Sequence, residues 1–185
     1  MKANKEESKF MDNGESSYRR FLEGDKSAFE EIVLSYREGL TLFVERFTND
    51  YEAAQDIAAD VFTQLLIYPK RYNFKTALKT YLYMMGRSRA LDYIRRRNRI
   101  KMLPLSEDTE ALGTKNLEDE VIEKERRQNL TREIDKLPED MKTALYLIYY
   151  ENLSYKDAAK IMKKNVKQID NLVSKSKKIL KSNLL

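Results

Sequence analysis

The sequence predicts an all-α protein made of two small helical domains joined by a flexible linker, the second domain a helix-turn-helix. Three observations carry that expectation. The 185 residues include only five Gly and three Pro, and Leu, Ala, Lys, Glu and Ile are plentiful with no alternating apolar pattern, which favours helices almost throughout and gives no strand. Apolar residues recur at helical spacing in two separate blocks. Between the blocks, "KMLPLSEDTEALGTKN" carries Pro104, Gly113 and several acids, and reads as a linker over 101–116.

Taken in order, residues 1–16 are polar and unpatterned and read as a mobile tail. The first domain spans 17–100. In it Phe21, Phe29, Ile32, Val33 and Tyr36 suggest one helical face, and Leu40, Phe43, Val44 and Phe47 continue it on the next helix. Asn49 or Asp50 can cap a helix in which Ala54, Ile57, Ala58, Val61, Phe62, Leu65 and Leu66 keep helical spacing until Pro69. The domain's last helix is expected to start near Phe74. The second domain, 117–185, resumes with Leu117, Val121, Leu130, Ile134 and Leu137, and Pro138 sits where a first helical turn accepts proline. Met141, Leu145 and Ile148 are expected to face one core. Ser154 can cap a helix to about Met162, and Val166, Ile169, Leu172 and Val173 define the last helix.

Composition removes several function classes. With no Cys and no His there is no disulfide framework, thiolate nucleophile, imidazole base or usual zinc ligand, so no catalytic residue, metal or cofactor is expected. The N-terminus lacks an apolar signal core and no run approaches the roughly 18 apolar residues of a membrane span, so a soluble cytoplasmic protein is expected. The formal net charge of +5 is mild, but the basic residues are concentrated.

Three stretches concentrate chemistry. In "ENLSYKDAAKIMKKNVKQIDNLVSKSKKIL" the Ser154 cap, small Ala158 and Ala159 where two helices must approach, a short turn and a second amphipathic helix make a helix-turn-helix. Lys164, Lys167 and Lys175 suit phosphates, while Asn165 opens the second helix, and Gln168 and Asn171 are amides able to read base edges. In "YMMGRSRALDYIRRRNRIK" seven cations accompany one acid, Asp92, with Tyr81, Tyr83 and Tyr93 close by. Cations plus aromatic faces suit unpaired bases. Taken singly, most of these tyrosines read as the margin of a core formed by Leu82, Met85, Leu91 and Ile94, and Asp92 is placed to pair with Arg95 or Arg96. Finally, Glu52, Asp56, Asp60 and Thr63 follow one another at intervals of four, four and three. That spacing makes an exposed acidic stripe, either a solvated face or a dock for a basic protein partner.

In their order and spacing these stretches resemble the extracytoplasmic-function sigma factors, two-domain members of the sigma-70 family, over about Tyr18 to Leu180. "DIAADVF" resembles the helix that docks on the clamp of core RNA polymerase, "FKTALKTYLYMMGRSRALDYIRRR" the segment that melts and reads the −10 element, and "LPEDMKTALYLIYYENLSYKDAAKIM" with its following helix the −35-reading domain. The resemblance implies polymerase docking through Asp56, Asp60 and buried Phe62. It implies −10 binding through Lys79, Tyr81, Arg87, Ser88, Arg95, Arg96, Arg97 and Arg99, and −35 binding through Lys164, Asn165, Lys167, Gln168, Asn171 and Lys175. It also implies core polymerase (clamp and flap), promoter DNA and an anti-sigma factor as partners. The chain departs from the family pattern at Ala59, where Gln is usual, at Ser88, where Asn is frequent, and at Asp170, which replaces a common basic residue. The competing readings are a stand-alone helix-turn-helix regulator of duplex operator DNA and a nucleic-acid-processing enzyme. The enzyme would need clustered carboxylates or a nucleophile with its base.

Overall fold

The computed structural model describes residues 14–101 and 129–184, and every regular element among them is helical. They form two compact units. The expected linker 101–116 and the helical start at Leu117 and Val121 fall, apart from Lys101, outside the described residues, as do residues 1–13 of the tail.

The first unit holds α1 (Glu15–Leu22), α2 (Lys26–Thr48), α3 (Tyr51–Ile67), a 3₁₀ turn (Pro69–Arg71) and α4 (Leu78–Lys101). Helix α1 begins inside the stretch expected as tail: Gly14 caps it at φ 75° and Ser17 Oγ donates to Glu31 at 3.0 Å. Asp25 starts α2 by accepting from the Ser27 and Ala28 amides. The two apolar faces expected on successive helices, Phe29 to Tyr36 and Leu40 to Phe47, lie on one 23-residue helix, α2. Gly39 inside it costs about 1 kcal/mol of helix propensity, which the burial of Leu40, Phe43 and Val44 on the next turns outweighs. Asn49 ends α2 in the left-handed region, φ 51°, and Asp50 caps α3 by accepting from the Ala53 amide at 3.0 Å.

Helix α4 starts at Leu78, later than expected, because the residues before it have better partners outside a helix. Asn73 Oδ1 accepts from the Lys75 amide, Tyr72 Oη donates to the Thr76 carbonyl at 2.7 Å, and Phe74 takes φ 60°. The Phe74 ring is held 4.7 Å from Tyr72 and 6.0 Å from Tyr18, with the Arg19 guanidinium 4.3 Å above it. Tyr18 is fully buried, and donates from Oη to the Pro69 carbonyl at 2.9 Å. Burial pushes its phenol up to about 12. Gly86 lets α4 cross α2 closely, since a β-carbon there would stand 2.8 Å from Leu40 Cδ1.

The second unit holds a helix over 129–135 (α5), α6 (Glu139–Leu145) running into a π turn (Tyr146–Tyr150), α7 (Tyr155–Met162) and α8 (Val166–Leu184). Pro138 is the N-cap of α6. The core takes Leu137, Ala144, Leu147, Ala158, Ala159, Ile161, Met162, Ile169 and Val173. Met141, Leu145 and Ile148, expected to face the core, are only half-buried. The inward line runs instead through Thr143, Ala144 and Leu147, already set in α6 before the π turn, which the Glu151 amide closes on the Tyr146 carbonyl. Leu130 stays exposed. Ser154 caps α7 by accepting from the Asp157 amide at 3.1 Å, and Lys163 ends it at φ 54°.

Candidate nucleic-acid interface

Helix α4 buries Leu78, Leu82, Tyr83, Gly86 and Ala90 on one side. Residues 81, 88, 95 and 99 lie seven, seven and four apart, which sets Tyr81, Ser88, Arg95 and Arg99 on the opposite face. Ser88, Arg95 and Arg99 are exposed and Tyr81 is half-exposed, its ring 5.1 Å from Tyr72. Asp92 lies on that face and accepts from Arg95 at 2.6 Å, the pairing expected of it. Arg96 is exposed at the edge facing α3.

The remaining basic residues of the expected −10 set turn elsewhere. Arg97 Nη1 donates to the Thr48 carbonyl, the last of α2, at 2.9 Å, and its guanidinium lies 5.8 Å from the Tyr93 ring centre. Tyr93 Oη in turn donates to Asp50 Oδ2 at 3.1 Å, and burial followed by that carboxylate raises the phenol's pKa. Arg97, Tyr93 and Asp50 thus tie α4 to the α2–α3 corner. Lys79 Nζ sits 5.7 Å from the Tyr83 ring centre, and Arg87 is half-buried on a flank. Tyr83 packs 4.9 Å from Phe43 at 1% exposure, so it is core and not a platform for a base. Met85, Leu91 and Ile94, expected as core, are half-buried.

On α3, Glu52, Asp56, Asp60 and Thr63 are all exposed, as their spacing requires. Asp60 is not a bare acid: Arg89 Nη1 of α4 donates to its Oδ2 at 3.2 Å. Between the helices runs a groove of about 800 Å³ lined by Asp56, Ile57, Asp60, Ser88, Arg89 and Arg96, among others. Phe62 is buried, so it reaches a partner only by holding the helix that carries Asp56 and Asp60.

In the second unit, Ile169, Val173 and Ser176 form the buried line of α8. Opposite them, residues 167, 171, 174 and 178 follow at four, three and four, so Lys167, Asn171, Ser174 and Lys178 face outward, with exposed Lys175 beside them. Asp170 lies off this face and close enough to Tyr155 for its charge to act there. Lys164 is held at the turn by Asp140, 2.9 Å away. Asn165 and Gln168 bind one another's backbone amides at 2.8 Å each. On the flank, Lys177 Nζ lies 4.9 Å above the Tyr149 ring, and its hydrogen bond with Tyr149 raises its pKa and keeps it cationic.

Sequence reasoning counted Arg89 and Lys178 among the cations but missed the pairing of Arg89 with Asp60 and the outward row that Ser174 and Lys178 share. Counting the 3.6-residue period from Lys167 would have found the last two. Nothing in the sequence pairs Arg89 with Asp60. Among the described residues no group of acids is placed to hold a metal ion, and no helix is long and apolar enough to cross a membrane. Both faces carry exposed cations, Arg95, Arg96 and Arg99 on α4 and Lys167, Lys175 and Lys178 on α8.

Two families match the chain: Sigma-70 region 2 over residues 32–100 and Sigma-70 region 4 over residues 127–180. The RNA polymerase sigma-H factor of Pseudomonas aeruginosa is 33% identical over 154 residues, covering 77% of this chain and 79% of that protein. The ECF RNA polymerase sigma factor SigW of Bacillus subtilis is 24% identical over 179 residues, 90% of this chain and 94% of its own. Among solved structures, the sigma factor RpoE of Bartonella quintana, in complex with the anti-sigma factor NepR, superposes with a TM-score of 0.66 at 20% identity over 84% of this chain and 96% of that one. CnrH, in complex with the cytosolic domain of CnrY, gives 0.63 at 14% identity over 92% and 96%.

Proposed function

The chain belongs to the sigma-70 family of RNA polymerase sigma factors, within its extracytoplasmic-function group, and from that premise we propose how its two units divide the work of promoter recognition. A factor of this kind binds core RNA polymerase, directs it to particular promoters and promotes DNA melting. The acidic stripe of α3, with Asp56 and Asp60 outward and Phe62 beneath, docks on a basic surface of the polymerase clamp. The outward face of α4 holds melted −10 DNA: Arg95, Arg96 and Arg99 neutralise phosphates, Ser88 meets base edges, and Tyr81 stacks on or wedges beside a base. Helix α8 enters the major groove at −35, with lysines on phosphates and an amide on base edges.

The observation that carries this reading is the single exposed face of Tyr81, Ser88, Arg95 and Arg99 beside an acidic stripe. A duplex-binding regulator has no use for an aromatic side chain on a basic helix outside its helix-turn-helix. Energetics assign the polymerase an active share. Extruding a base costs a few kcal/mol, and one aromatic platform returns about 1–3 kcal/mol, so melting several steps needs further contacts from the polymerase. The protein contributes no covalent chemistry, works in the cytoplasm where promoters are, and is held inactive by an anti-sigma factor covering these faces, as the two solved relatives are each bound by a partner protein.

Run-off transcription from fragmented genomic DNA, with purified core polymerase and mapping of RNA 5′ ends, tests the proposal. Discrete starts that depend on the protein and share upstream −35 and −10 motifs are expected. Absence of such starts, together with tight specific binding to duplex DNA without polymerase, would establish the stand-alone regulator instead.

A further inference from the structure

The first turn of the −35-reading helix is closed by two amides that serve each other. Asn165 Oδ1 accepts from the Gln168 backbone amide and Gln168 Oε1 accepts from the Asn165 backbone amide, both at 2.8 Å. This is a capping box in which both acceptors are carboxamides. It has a chemical consequence for base reading. A carboxamide recognises adenine with both ends at once, its oxygen accepting from N6 and its nitrogen donating to N7. The box holds the Gln168 carboxamide turned back onto the helix start, and swinging it out to meet a base with both ends would orphan an amide there. Its position agrees: Gln168 leans to one flank of the outward row formed by Lys167, Asn171, Ser174 and Lys178. Asn171, in contrast, is exposed in the middle of that row, and its side-chain amide has no hydrogen-bond partner among the described residues.

Resting on the function proposed above, we infer that Gln168 is a positioning residue that locks the start of the reading helix, and that Asn171 is the side chain through which this chain demands an adenine in its −35 element. Gln168 holds the first turn in the register that presents Asn171, and Lys167 and Lys175 on either side fix the helix to phosphates. The amide then meets one A·T pair.

The test uses the complete protein with core polymerase on its mapped promoter and on a set in which each −35 base pair is replaced by the other three. N171A is expected to erase the preference at one A·T pair, a loss of roughly 5- to 150-fold in discrimination, and to leave the other positions as they were. Q168E rebuilds the box with a carboxylate acceptor and is expected to keep the wild-type preference at every position. Q168A is expected to lower binding to every promoter by one common factor, about 2- to 30-fold. Hydrogen exchange reads the lock without polymerase: the Asn165 amide exchanges faster in Q168A and at the wild-type rate in Q168E. A changed preference at a single base in Q168E, or unaltered exchange in Q168A, overturns the lock. Unaltered preference everywhere in N171A overturns the adenine reader. If the wild-type protein itself produces no starts, the sigma reading fails and takes the reader with it, while the exchange experiment still decides the lock.

Discussion

Replacing Arg97 should unfold, and replacing Arg96 should unbind. The two are neighbours in "RRR" and sequence alone treats them alike, yet Arg96 is exposed while Arg97 donates to the Thr48 carbonyl at 2.9 Å. That carbonyl ends α2, among the last four that no helical amide can reach. A hydrogen bond from a charged donor contributes about 1.5–3 kcal/mol, and a cation at a helix C-terminus adds about 0.3–1 kcal/mol. Against this, Arg97 Nε is buried without a hydrogen-bond partner among the described residues, and its removal returns part of that desolvation cost. The net loss for R97A comes to about 2 kcal/mol, which for a unit of this size lowers Tm by roughly 8–16 °C. R96A should stay within about 0.5 kcal/mol of wild type. Salt titration of binding to a single-stranded oligonucleotide gives the complementary readout: R96A removes one phosphate contact and flattens the slope of log K against log salt by about 0.7, while R97A below its Tm leaves the slope alone. If R97A melts with wild type and flattens the slope as R96A does, the clamp is wrong and Arg97 is a DNA ligand.

The tyrosines of α4 should separate in the same way: Y83A loses about 3–5 kcal/mol in urea unfolding because it empties the core against Phe43, whereas Y81A folds normally and loses roughly tenfold in promoter opening, read by permanganate reactivity of unpaired thymines. For the acidic stripe, D56N and D60N should weaken binding to core polymerase. R89Q, by baring Asp60, should tighten it by up to about fivefold at low salt; equal affinities in R89Q and wild type would show the Arg89 pair to be irrelevant to docking. Stability should also fall at alkaline pH. Tyr18 keeps its proton to about 12 in the folded protein, against about 10 when unfolded. Between those values the unfolded chain releases the proton first, so stability falls as pH rises, by about 2–3 kcal/mol over the interval. Burial likewise raises the Tyr72 phenol. Urea midpoints at pH 9 and pH 11.5 measure this, and Y18F should show a shallower drop.

Helix content, the Asp50 and Ser154 caps and the outward position of Asp56 and Asp60 were legible because each depends on residues within one or two turns of one another. Caps and faces are local arithmetic. The later start of α4 and the inward turn of Tyr83 were not legible, since both depend on distant partners: Tyr18, 54 residues before Tyr72 in the chain, helps hold the Phe74 loop, and Phe43 takes the Tyr83 ring. The π turn was hidden for a related reason. Its sequence, "YLIYY", suits an ordinary helix, and only packing shows that Leu147 and not Ile148 turns inward.

The basic stretch of α4 shows why a count of charges overstates an interface. An amphipathic helix has one outward face, so cations placed at every position cannot all reach the same ligand. Tyr81, Ser88, Arg95 and Arg99 share that face. Arg97 lies about half a turn around the helix from it and finds the end of α2, while Arg89 finds Asp60 on α3. Arg97 satisfies a carbonyl at the end of α2 and Arg89 pairs with the exposed Asp60, so each ties α4 to α2 or α3. Under the proposed function the same arginine-rich run therefore divides into two sets that sequence cannot separate: Arg95, Arg96 and Arg99 face outward toward the proposed DNA, and Arg89 and Arg97 bind α3 and α2. In the proposed function, these links between α4 and its neighbours α2 and α3 make docking at α3 set where α4 presents its outward face.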